Sequence, residues 1–231
     1  LKVLCEIEKN APKDLGQYNK LAVAFALVWD QPFPSYWPHP KVEGKNIPRG
    51  DSGVARRFSF MIDAMRDNRL VMDPRKLSIR ELTFVVDTPV ELRELAYVRQ
   101  IKLQSSRKLE QLYSVVPYDH SRIQSETYSW PHGPYRLIEI GRRKGGICMD
   151  QAYFVAHAGK SMGIPTVLFM GQGRSGDHAW VGFLTGPRQW KLDAARWQGE
   201  NYPVGLAFDP QTWRRFSDKQ MEYSIKAEGD S

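Results

Sequence analysis

The stretch that decides the fold runs from Lys144 to Met162 and reads KGGICMDQAYFVAHAGKSM. Past its two glycines, small and apolar residues recur at helical spacing, and this pattern predicts a helix over Ile147–Met162 with one face suited to close packing. Cys148 then stands at the N-terminus of the helix, where unpaired backbone N–H groups and the helix dipole favour an anion. We therefore expect Cys148 to be a reactive thiol whose pKa lies below its ordinary value.

The two glycines before this cysteine permit a sharp turn of the backbone. We expect the turn to leave room for a substrate carbonyl against the backbone N–H of Cys148, which would serve as one oxyanion donor. Asp150 lies in the same first helical turn, and its carboxylate is expected to favour the helix dipole rather than to take part in chemistry.

Three short strands are predicted after the helix, over Thr166–Met170, His178–Leu184 and Gln189–Asp193, with glycine-rich turns between them. A helix followed by an antiparallel sheet is an α+β arrangement. A hairpin of the last two strands would bring His178 and Asp193 side by side. The carboxylate could then hold the imidazole while the other ring nitrogen faces the thiol of Cys148.

The part of the chain before these elements is predicted to be mainly helical. Apolar residues recur at three and four over Leu15–Trp29, and a second helix is expected over Gly53–Leu70. Ser78–Glu81 and Thr88–Glu91 both fit the capping box that starts a helix, and a further helix is expected over Lys108–Val116.

These elements indicate one compound domain over residues 1–231, since no flexible linker divides the chain. Residues 1–130 form its mainly helical part and residues 131–231 its core with the candidate site. The long segment Asp30–Gly53 is rich in proline and aromatic residues, so we expect it to be functional or wrapped over the surface.

Composition excludes several classes of protein. The chain has 231 residues and a formal net charge of +7, without the concentrated basic stripe of a nucleic-acid binder. Its longest apolar stretch, Leu21–Trp29, is about half of what a membrane-spanning helix needs, so no membrane span is expected. Two cysteines, Cys5 and Cys148, are too few for a disulfide framework or a cysteine-rich zinc site.

The second half of the chain resembles the transglutaminase-like superfamily of papain-type thiol enzymes. The resemblance covers about residues 135–197 and rests on five fragments in the family's order: Gly146–Ala152, Gly163–Pro165, Gly171, His178–Val181 and Trp190–Asp193. It implies a papain-like core in which a helix headed by a nucleophilic cysteine packs on an antiparallel sheet. It also implies a catalytic triad of Cys148, His178 and Asp193.

Two positions depart from the family's pattern. Family members often place a proline after the triad aspartate and an arginine after the Gly-Ile-Pro turn, where this chain has Ala194 and Thr166. Neither change removes a chemical group from the triad, so we expect both to affect the shape of the substrate cleft. The family's second oxyanion donor comes from an upstream residue, for which Trp130 is the candidate.

The leading hypothesis is an enzyme that attacks a carboxamide or peptide bond of a protein or peptide through Cys148 and forms a thioester. If water resolves the thioester, the protein is a peptidase or amidase, whereas resolution by an amine makes it an acyltransferase. No cofactor, metal or nucleic-acid partner is expected. One alternative is an inactive binding module of the same fold, and another is a zinc ion held by Cys148, His178 and Asp193.

Overall fold

The chain forms a set of helices followed by a five-stranded antiparallel sheet, and the α+β class is confirmed. The computed structural model describes residues 1–34, 53–173, 176–196 and 204–229. Except at its ends, the predicted loop Asp30–Gly53 lies outside the described residues.

Seven α-helices are described before the cysteine: α1 (Lys2–Asn10), α2 (Pro12–Leu15), α3 (Asn19–Trp29), α4 (Val54–Arg66), α5 (Ile79–Val86), α6 (Leu92–Arg99) and α7 (His120–Gln124). The predicted helix over Leu15–Trp29 is α3, which begins later because residues 12–15 form the separate turn α2. The predicted helix over Gly53–Leu70 is confirmed as α4. The segment predicted as a helix over Lys108–Val116 is instead a 3-10 helix, Ser106–Val115.

The two predicted capping boxes have different outcomes. Ser78 caps α5 as predicted, since its hydroxyl accepts from the N–H of Glu81 and the Glu81 carboxylate accepts from the N–H of Ser78. The box at Thr88 is wrong, because α6 begins only at Leu92. The Thr88 hydroxyl lies 2.7 Å from Nδ1 of His157, so a tertiary contact has taken the group that would have capped a helix.

The sheet has the strand order β3-β2-β1-β4-β5, and every neighbouring pair is antiparallel. Its strands are β1 (Thr166–Gly173), β2 (Gly176–Gly186), β3 (Gln189–Ala194), β4 (Gly205–Phe208) and β5 (Arg215–Ser217). The first three confirm the predicted strands. The last two are too short to show a pattern in the sequence.

The predicted helix after the glycines is confirmed as α8 (Cys148–Ser161), and a last helix, α9 (Asp218–Gly229), follows the sheet. The buried core between α8 and the sheet contains Ala179, Val181 and Phe183 of β2. Phe169 and Trp180 belong to a separate core cluster that includes Met221 of α9. Side chains alternate along a strand, so these two clusters mark the two faces of the sheet.

None of the helices that the structure describes combines the length and the apolar character needed to cross a bilayer.

Candidate functional site

The turn that leads into α8 packs directly against an earlier segment of the chain. Gly145 has a φ of +68°, and a Cβ there would lie 2.4 Å from the carbonyl oxygen of Pro117. The next residue, Gly146, donates its N–H to that same carbonyl at 2.9 Å and accepts the N–H of Asp119 at 3.0 Å. These bonds form a short parallel bridge with Tyr118. Gly145 is required for this close approach, whereas a Cβ at Gly146 would instead meet the Cβ of Asp150 at 2.3 Å.

Cys148 is the first residue of α8, and Asp150 closes the helix N-terminus beneath it. The carboxylate of Asp150 is fully buried and accepts hydrogen bonds from the N–H of Ile147 at 2.9 Å, Nη1 of Arg122 at 2.7 Å and the hydroxyl of Tyr135 at 2.8 Å. Its predicted role in the first helical turn agrees with these contacts. The carboxylate holds the cysteine's helix end in one position.

Arg122 extends this network to the loop that carries Trp130. Its other guanidinium nitrogens donate to backbone carbonyls of the loop, including that of Tyr128 at 3.0 Å and that of Ser129 at 3.2 Å. The Trp130 ring centroid lies 5.7 Å from the guanidinium carbon. Nε1 of this tryptophan is buried and has no hydrogen-bond partner among the described residues. The expected oxyanion role of Trp130 stays a prediction.

The thiol of Cys148 is half-buried and faces the backbone of β2. Burial raises its pKa above the ordinary value, whereas the backbone N–H groups of Ala179 and Met149 act in the opposite direction. The expected lowering of this pKa is therefore wrong for the resting structure, because desolvation outweighs the helix N-terminus. The charge of nearby Asp150 also disfavours the thiolate.

Two tyrosines that the sequence analysis did not single out lie beside the thiol. The hydroxyl of Tyr113 donates to the carbonyl oxygen of Ala194 at 3.4 Å, and the N–H of Val181 is directed towards it. The N–H of Cys148 is directed towards the hydroxyl oxygen of Tyr118. Sequence spacing gave no signal for either residue, because Tyr118 is placed by the bridge to Gly146 and Tyr113 by contacts with β2 and β3, which are distant in the chain.

His178 begins the buried part of β2 as predicted, and a backbone group orients its ring. Nε2 lies 2.8 Å from the carbonyl oxygen of Ala195, which can only accept, so Nε2 carries the proton. In the neutral ring Nδ1 is then the basic nitrogen. The imidazole stacks on Trp180 with ring centroids 6.2 Å apart, and strand alternation places both on the face opposite Ala179, away from α8.

Asp193 does not reach His178. Val181 pairs with Ala194 in the β2–β3 register, so Asp193 lies beyond Val181 in the direction away from the histidine. Its side chain is exposed and makes no hydrogen bond or ion pair with any residue that the structure describes. Ala195, two residues later, has a positive φ of 62°. Its carbonyl takes the position next to the imidazole that was expected for the carboxylate.

The zinc alternative gains no support from this arrangement. Within the described residues, no three side chains of His, Cys, Asp or Glu are grouped closely enough to hold a metal ion. Cys148, His178 and Asp193 therefore do not form a set of ligands.

Comparison of the chain with models of protein families, with curated proteins and with solved structures finds no match.

Proposed function

We propose that the protein is a thiol enzyme of transglutaminase-like type that acts on carboxamide or peptide bonds through Cys148. The observation that carries the proposal is the position of this thiol at the N-terminus of α8, against the backbone of β2 at the residue next to His178. The order of elements, a helix headed by cysteine and then an antiparallel sheet with the histidine, supports a papain-like core.

The chemistry follows from the protonation states. Because the resting thiol is neutral, its proton must leave during attack on the substrate carbonyl. Nδ1 of His178 is the basic nitrogen that would accept it, which requires the imidazole to turn from the Trp180 face of β2 towards the thiol. The new carbon–sulfur bond places negative charge on the carbonyl oxygen, which the N–H of Cys148 can stabilise. Collapse expels the amine, which takes the proton from the imidazolium, and leaves a thioester that water or a second amine resolves.

In this scheme the Ala195 carbonyl replaces the orienting carboxylate of a triad. Its peptide is itself held, since the N–H of that peptide, which belongs to Arg196, donates to the carbonyl of Asp193 at 3.0 Å. A carbonyl can fix the tautomer of the imidazole, but it carries no full charge to stabilise the imidazolium. Asp193 remains a predicted member of the site and would need a different register to act.

A second candidate is the inactive binding module of the same fold. The observation that favours it is the alternation of β2, which directs the imidazole to the face with Trp180 while the thiol lies on the side of α8. A neutral thiol separated from its base would be inert.

Acylation of the thiol separates the two candidates without knowledge of the natural substrate. In a Cys5→Ser background, p-nitrophenyl acetate should form a thioester on the Cys148 peptide, detected by mass spectrometry, and Cys148→Ser should form none. His178→Ala should slow thioester formation at pH 7 by about 100-fold or more, the range of general-base catalysis. Equal rates with and without the imidazole would favour the binding module.

A further inference from the structure

Tyr118 is placed beside the nucleophile by backbone pairing rather than by its own side chain. The bonds of Gly146 to Pro117 and Asp119 align the segment 117–119 with the turn before α8. The tyrosine is half-buried, and its ring packs on that of His120 with centroids 5.0 Å apart. The backbone thus fixes the position of the Tyr118 Cα opposite Gly146, two residues before Cys148.

The hydroxyl of this tyrosine meets the expected oxyanion donor. The N–H of Cys148, at the first position of the helix, is directed towards the phenol oxygen. An acyl oxygen bound to that N–H would therefore also come within reach of the phenol. Burial and the neighbouring Cys148 and Asp150 raise the pKa of Tyr118, so the phenol keeps a proton that it can donate at neutral pH.

We propose that the hydroxyl of Tyr118, rather than Nε1 of Trp130, is the second oxyanion donor, acting together with the backbone N–H of Cys148. This inference rests on the proposed function. During attack, the carbonyl oxygen gains charge and accepts hydrogen bonds from both groups, and when the tetrahedral species collapses both bonds weaken. No covalent bond of the tyrosine changes. Its role is to stabilise charge that exists only near the transition state.

Tyr113 provides a matched control in the same structure. It also lies near the thiol, but its hydroxyl is directed to the backbone of β2 and β3, at Val181 and Ala194, and has no part in the proposed site. Replacing either tyrosine by phenylalanine removes one oxygen and keeps the ring, so packing is nearly unchanged.

The test compares two reactions of one thiol in the Cys5→Ser background. Acylation by p-nitrophenyl acetate passes through an oxyanion, whereas alkylation by iodoacetamide does not. Tyr118→Phe should slow acylation of Cys148 by about 10-fold to 100-fold and should leave alkylation unchanged. The larger figure is the lower end of the loss that removal of one oxyanion donor typically causes. Tyr113→Phe should leave the ratio of the two rates unchanged.

The possible failures are distinct. Acylation at an undiminished rate in Tyr118→Phe, with thioester formed normally in the parent, would overturn the role of Tyr118 alone. An equal loss of acylation and alkylation would also overturn it, since a general disturbance of the thiol would explain both. A parent protein that forms no thioester on Cys148 would overturn the proposed function and this inference with it.

Discussion

The two ends of α8 each carry a buried ion pair, and the pairs differ in how firmly their charges are fixed. At the N-terminus Asp150 pairs with Arg122, and at the C-terminus Lys160 pairs with Asp87. In both cases the charge on the helix has the sign that its dipole favours. All four side chains are almost fully buried.

The N-terminal pair is built on a guanidinium group, which as a class keeps its charge in proteins. The carboxylate partner of Arg122 accepts two further hydrogen bonds, from Tyr135 and Ile147. Both groups of the C-terminal pair, a carboxylate and an ammonium, can lose their charge. Burial raises the pKa of Asp87 to about 6 and lowers that of Lys160. The comparison teaches that the charge network is permanent at the helix end that bears Cys148 and can be titrated at the other.

The largest effect is expected when the permanent pair is broken. Asp150→Asn leaves the Arg122 guanidinium buried without its counter-charge, and loss of one partner of such a pair typically costs about 3–5 kcal/mol. Urea unfolding followed by circular dichroism would measure the loss of free energy of unfolding. The control is Asp193→Asn, which removes an exposed carboxylate that has no partner in the described structure and should change stability by less than about 0.5 kcal/mol. Similar values for the two variants would refute the view that this helix end depends on the pair.

A smaller loss is expected at the other end. Asp87→Asn leaves Lys160 buried, but a lysine can release its proton, so the cost at pH 7 should be about 1–3 kcal/mol. Urea unfolding of the variant and the parent at matched pH gives the difference. A loss as large as that of Asp150→Asn would remove the contrast between the two ends.

The same variant should also show a pH dependence. The raised pKa of Asp87 means that the folded parent binds a proton more tightly than the unfolded chain, so this group stabilises the parent as pH falls from about 7 to about 4. The pKa of Lys160 is lowered in the parent, and Asp87→Asn removes the carboxylate that counteracts this lowering, so a rise of pH towards about 10 favours folding more strongly in the variant. The free energy of unfolding of the parent minus that of the variant should therefore fall steadily with rising pH. A rise of this difference would contradict the direction of both pKa shifts.

The smallest effect concerns the turn that brings Tyr118 to the nucleophile. Gly145 and Gly133 both have positive φ. Gly145 also has a ψ of −159°, a combination that essentially only glycine adopts, so alanine there costs about 1–3 kcal/mol. An added Cβ at Gly145 would meet the Pro117 carbonyl, whereas at Gly133 it would have no atom of the described residues outside its chain neighbours within 4 Å. Gly145→Ala should therefore cost about 1 kcal/mol more than Gly133→Ala in urea unfolding. Equal costs would show that the approach of the two segments is readily relieved.

The local elements could be predicted where the signal lies within a few residues. The α8 helix was predicted to within one residue at each end, and Ser78 was correctly identified as a helix cap, because glycine turns, small residues and reciprocal capping act within one helical turn. Thr88 shows the same capping pattern, but the helix start predicted there was wrong. Its hydroxyl contacts His157 on another helix, a contact that no local pattern reports.

The sequence by itself determined the α+β class, the start of α8 at the cysteine and the place of His178 on the second strand. The tertiary structure decided what surrounds these residues. It raised the pKa of Cys148 through burial, put the Ala195 carbonyl in place of Asp193 through strand register, and brought Tyr118 to the nucleophile through a bridge to Gly146. The physical reason is range: turn and helix preferences act between near neighbours, whereas desolvation and register depend on packing between distant segments.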